Sequence, residues 1–201
     1  MDNHSKKAAR VAAVFEIVLL ITAMVSTASR QWKDLALSLL AMICLILPFV
    51  IARIAKNKNI ALPSVFQLIT VLFIFMAQYL GEIKRFYQLF WWWDLLLHAI
   101  FGSFVVVVTL YSINGMIKKD QEMTDQRFTL FTVIFAFSIS ITLGTLWEMF
   151  EFVGDYLFKA GMVKGGIEDT ATDILVKILA AFITALICYY RSLEKFLKIE
   201  G

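Results

Sequence analysis

WWWDLLLHAIFGSFVVVVTL, residues 91–110, decides the fold class. Read as a helix, this run is long and apolar enough to cross a bilayer, whose hydrocarbon core of about 30 Å takes about 20 such residues. The tryptophans at its head, Trp91, Trp92 and Trp93, suit a membrane–water interface. Yet Asp94 and His98 stand inside it, four residues apart and so on one helix face about one turn deep. An ionisable side chain at the centre of a membrane helix costs about 2.5–3.5 kcal/mol on insertion scales, which makes each one a functional candidate.

The rest of the chain has the same character. Of its 201 residues 60% are hydrophobic, well above the roughly 45–50% apolar content of soluble domains, and only 17% are charged. With a mean hydropathy of +0.77, this composition excludes an ordinary soluble domain. Six apolar stretches predict an all-α bundle of six transmembrane helices, at 11–29, 34–54, 61–80, 88–112, 128–156 and 172–190. The links are short, so one domain covers 1–201. Pro48 is placed to kink the second span, and Pro63 to open the third. Lys6, Lys7 and Arg10 before the first span resemble a signal peptide. The length of that span, its Glu16 and the five spans that follow favour a retained helix. Cys44 and Cys188 lie in apolar runs without metal-binding or disulfide spacing. A net charge of +3 with no basic block excludes nucleic acid as a partner.

Orientation follows from Lys and Arg in alternate loops. One side collects twelve: Lys6, Lys7, Arg10, Arg53, Lys56, Lys58, Lys118, Lys119, Arg127, Arg191, Lys195 and Lys198. The other collects six: Arg30, Lys33, Lys84, Arg85, Lys159 and Lys164. Both termini are therefore expected in the cytoplasm. The fifth span then carries Glu148, Glu151 and Asp155 on one stripe near its outer end, and the sixth opens with Asp169, Asp173 and Lys177 at intervals of four. Three helices thus deliver acids to the outer leaflet.

The cluster holds six acids, one lysine and one histidine. Either several acids carry protons or a cation is bound. Mixed carboxylate and imidazole ligands suit zinc, manganese or ferrous iron, whereas oxygen alone suits magnesium or calcium. Three readings stay open: a metal site, a site for protons or a substrate cation, and a structural network. On the metal reading Asp94, His98, Glu148 and Asp173 are ligands, and Glu151 and Glu148 are the catalytic carboxylates, with Glu151 as general base. Asp155, Asp169 and Lys177 form a rim, with Lys177 neutralising Asp173 one turn back. Gln67, Gln78, Ser138, Ser140, Thr142 and Thr145 read as polar glue between helices. Nothing points to an organic cofactor.

Three segments carry a family resemblance: Trp93-Asp94-Leu95-Leu96-Leu97-His98 with Gly102, Trp147-Glu148-Met149-Phe150-Glu151, and Asp169-Thr170-Ala171-Thr172-Asp173-Ile174. In order and spacing they resemble the Asp-x-x-x-His helix, the paired-glutamate helix and the Asp-Thr-x-x-Asp segment of the YjdF-like bacterial inner-membrane proteins. A more distant similarity extends to VanZ-like membrane proteins. The family often has a Gln-Gly-Asp turn and a tryptophan before the Asp-Thr pair, where this chain reads Gly165-Gly166-Ile167-Glu168. The resemblance implies a multi-pass protein of the bacterial plasma membrane. It implies no particular activity.

Three functions fit these residues. A metal-dependent hydrolase or transferase would act on a membrane lipid or lipid-linked substrate at headgroup depth. An ion-coupled or metal transporter usually shows repeats, broken helices and a midplane site, none of which is visible here; homo-oligomerisation could supply a path that one chain lacks. A non-catalytic scaffold or sensor would use the acids only to tie helices together. The expected orientation is checked at Gly165 in a chain with Cys44 and Cys188 changed to Ala. Gly165→Cys is labelled by an impermeant maleimide in intact cells; labelling only after lysis inverts the topology.

Overall fold

A computed structural model describes residues 3–117, 122–158 and 166–197 of the chain. Lys118, Lys119, Lys159, Lys164, Gly165 and Lys198, used in the charge count, the labelling test or the family comparison, lie outside these residues. The described elements are helical, with no strand among them. They are α1 (Asn3–Ala28), α2 (Trp32–Asn57), α3 (Phe66–Ile74) with a π-helical continuation (Phe75–Ile83), the short α4 (Phe86–Leu89), α5 (Trp93–Met116), α6 (Asp125–Phe158) and α7 (Ile167–Leu197). Six helical stretches are long and apolar enough to cross a membrane, matching the six expected spans.

The boundaries differ where local backbone conformation intervenes. The third helix starts at Phe66, whose N–H donates to the Pro63 carbonyl at 2.9 Å, so Pro63 lies in the preceding turn and not in the first helical turn. The fourth span begins at Trp93 and not at residue 88. Arg85 adopts a left-handed φ of 58° and opens the separate helix α4, which keeps Trp91 and Trp92 out of α5. Helix α2 runs through Pro48, which is fully buried. With 34 and 31 residues, α6 and α7 extend about 51 and about 46 Å, beyond the hydrocarbon thickness.

The chain divides into two compact units, Met1–Asp94 and Leu95–Gly201. The division falls in the first turn of α5, so Asp94 remains on one continuous helix with His98. In the first unit, α1 turns Ala12 and Leu19 inward, and α2 turns Ala41 and Leu45; Val71 of α3 and Ile83 of the π-helical stretch complete this core. Phe15 stacks on Phe75 with ring centroids 3.7 Å apart, and Phe75 on Tyr79 at 4.7 Å. Gln78 lies in the π-helical stretch with its Oε1 buried and unpartnered among the described residues, so this oxygen glues nothing.

In the second unit α5 and α7 run parallel and α6 antiparallel to them. Helix α6 buries Ala136, Ser140, Gly144 and Glu148, and α7 buries Asp173, Lys177, Ala181 and Ala185, each set at steps of four. Without a hydrophobic drive between helices in lipid, association depends on close packing, and small residues let backbones approach. Val106 and Val133 fill the space between these stripes. Ser140 acts as expected, its hydroxyl donating to the Gly102 carbonyl of α5 at 2.8 Å. Ser138 and Thr142 do not: both are exposed and donate to carbonyls one turn back on α6 itself.

Fully buried Ala181 tests this packing. Ala181→Leu is expected to destabilise the detergent-solubilised protein by about 1–3 kcal/mol, as overpacking does. Thr142→Leu on the exposed face should change stability by less than about 0.5 kcal/mol. Thermal unfolding followed by circular dichroism compares them.

Candidate metal centre

Two glycines and a lysine set the site's geometry. A Cβ on Gly102 would stand 2.7 Å from the Lys177 carbonyl oxygen and 3.3 Å from its Cα. Only glycine lets α5 touch the α7 backbone there. One turn back on each helix, this contact brings His98 against Asp173, with Nε2 and Oδ2 3.4 Å apart. Gly144 opens the path for the Lys177 side chain, whose Cδ would lie 3.0 Å from a Cβ at that position. The lysine passes Gly144, donates to its carbonyl at 3.4 Å, and reaches the Glu148 carboxylate one turn further along α6.

Lys177 therefore pairs with Glu148 and not with Asp173. It is also no rim residue, being 3% exposed, like Glu148 and Asp173, while His98 is 8% exposed. The same Glu148 oxygen, Oε1, lies 4.0 Å from His98 Nδ1. Asp173 Oδ1 is buried and has no hydrogen-bond partner among the described residues.

Asp94, His98 and Asp173 each turn one ligand-capable atom into a common space, all within 4.8 Å of one another. Glu148, expected to join them as a ligand, is held instead by the lysine. Glu151, Asp155 and Asp169 are half-buried and engaged in interactions of their own. Phe101 of α5 and Leu143, Leu146, Trp147 and Phe150 of α6 line an open apolar groove of about 380 Å³. The Gly144 signal and the stripe Ala136, Ser140, Gly144 were readable in the sequence as small residues at steps of four.

The architecture is that of a polytopic helical membrane protein with a buried group of carboxylate, imidazole and ammonium side chains. The family described as "Predicted membrane protein (DUF2238)" matches residues 9–194, and the chain belongs to it, as the YjdF-like motifs indicate. An uncharacterized protein of Thermotoga maritima is 27% identical over 149 residues, covering 74% of this chain and 73% of that protein. No solved structure matches the chain.

The glycines give an ordered expectation. Gly102→Ala drives a methyl into backbone and should cost about 1–3 kcal/mol of stability, whereas Gly144→Ala meets only a flexible side chain and should cost less than about 1 kcal/mol. Thermal midpoints of the two variants in detergent check the order.

Proposed function

We propose that this protein is a metal-dependent hydrolase or transferase of the bacterial plasma membrane, acting near the outer leaflet on a lipid or lipid-linked substrate. The observation that carries the metal is the convergence of Asp94, His98 and Asp173, with Asp173 Oδ1 buried and without a hydrogen-bond partner among the described residues. Bonds of about 2.1 Å to a tetrahedral metal put neighbouring ligand atoms about 3.4 Å apart. His98 Nε2 and Asp173 Oδ2 have that separation, which is long for a charge-assisted hydrogen bond of about 2.7–2.9 Å. The trio's atoms, within 4.8 Å of one another, would need to close by up to about 1.4 Å to reach that spacing.

Charge supports the same reading. Glu148 and Lys177 neutralise each other. Asp94 and Asp173 are the other two carboxylates of the group, and with the His98 imidazole they form a mixed donor set that suits a divalent ion. Carboxylates with one imidazole favour zinc, manganese or iron over magnesium or calcium. Three protein ligands leave a position open for water, the arrangement of catalytic zinc sites. A metal held by Asp94, His98 and Asp173 would supply Lewis acidity toward a carbonyl or phosphoryl oxygen and would activate water for attack. Glu151, half-buried one turn from Glu148, is the acid we assign as general base. The lipid class rests on the open apolar groove lined by Phe101 of α5 and Trp147 of α6, the two helices that carry His98 and Glu148.

Elemental analysis of protein purified in detergent without chelator tests the metal. Wild type should carry about one transition metal per chain, and His98→Ala and Asp173→Asn should carry little. Equal, near-zero metal in all three removes the proposal.

A further inference from the structure

We infer that Glu148 orients the metal-binding imidazole and is not itself a ligand. The inference rests on the metal reading above and assigns a positioning role within that site. His98 presents its two nitrogens to different carboxylates, Nε2 to Asp173 at 3.4 Å and Nδ1 to Glu148 at 4.0 Å. In the trio with Asp94 and Asp173 the ring gives one nitrogen to the ion. The other then bears a hydrogen and, on a residue only 8% exposed, needs an acceptor. With Nε2 turned to Asp173, that hydrogen is on Nδ1 and faces Glu148. Metal-bound histidines generally donate their second N–H to a carboxylate or carbonyl, which fixes tautomer and ring plane. A small turn of the ring, or one bridging water, spans the 4.0 Å gap.

Lys177 explains why Glu148 serves as acceptor and not as a third carboxylate ligand. Its ammonium holds Oε1, the oxygen nearest the imidazole. The lysine in turn is fixed at both ends, with its backbone against Gly102 and its side chain passing Gly144. A freed Glu148 would leave a buried carboxylate without its ammonium partner. The pair thus gives the imidazole an acceptor without adding net charge to the interior.

Two double variants isolate the acceptor while keeping the buried charge balanced. Glu148→Gln with Lys177→Met retains a carbonyl oxygen facing Nδ1; Glu148→Ala with Lys177→Met does not. The probe is cobalt(II), titrated into the full chain in detergent and read by its visible absorption. The Gln/Met variant should bind within about threefold of wild type and keep its spectrum. The Ala/Met variant should bind about 10–100-fold more weakly, the usual loss when such a partner is removed. Equal, wild-type affinity in both overturns the positioning role. Equal loss in both, with folding intact by circular dichroism, shows that the retained carbonyl makes no difference and also overturns it. Wild type that takes up no cobalt(II) removes the metal reading itself, and this inference with it.

Discussion

The contact between Gly102 and the backbone of Lys177 governs the second unit. With 2.7 Å between the carbonyl oxygen and the position a Cβ would take, no other residue fits without moving a helix. The register of α5 on α7 follows from it. One turn toward the helix starts, His98 meets Asp173; one residue further along α5, the Ser103 hydroxyl donates to the Ala180 carbonyl at 3.5 Å. Ser140 of α6 donates to the carbonyl of the same Gly102, so the third helix is tied to that point as well. A membrane bundle gains little from burying apolar surface, because lipid is as apolar as leucine. Close packing and interhelical hydrogen bonds must replace that drive, and both are concentrated at this level.

Burying Glu148, Asp173 and Lys177 together is otherwise hard to rationalise. Each ionised group would cost about 2.5–3.5 kcal/mol at a helix centre if unpartnered. The lysine meets a carboxylate and a carbonyl, so its charge is accounted for within α6. Among the described residues Asp173 has the imidazole 3.4 Å from one oxygen and no hydrogen bond on the other. A purely structural network would be expected to satisfy that oxygen, since a buried acceptor left unmade costs about 1–3 kcal/mol. The asymmetry between a satisfied lysine and an unsatisfied aspartate is what favours an ion over a self-contained network.

Much of this was legible in the sequence, for identifiable reasons. The spans follow from apolar length, a property of composition that tertiary packing hardly alters. The steps Asp94–His98 and Asp173–Lys177 follow from helical periodicity, which fixes what shares a face. The partner of Lys177 does not follow, because the choice between Asp173 on its own helix and Glu148 across from it depends on helix rotation and on the gap at Gly144. The π-helical stretch Phe75–Ile83 is equally invisible to periodicity, since its i→i+5 bonds shift the register without changing composition. The stripe Ala136, Ser140, Gly144 was visible but carries its message in size, and an eye for polarity passes over it.

Size and charge act on the same turns of these helices. Gly102 is one turn from His98, Gly144 one turn from Glu148, and Lys177 one turn from Asp173. Each helix therefore carries a packing residue and an ionisable residue as a fixed pair, so helix approach and site geometry cannot vary independently. A bulkier residue in the packing layer would separate the helices and pull apart the ionisable groups in the layer above. The small residues deeper in α6 and α7, Ala136 and Ala181, can tolerate change only in so far as this coupled pair of layers stays closed. The close-packed layer is thus part of the candidate centre, because it fixes how far apart His98 and Asp173 stand.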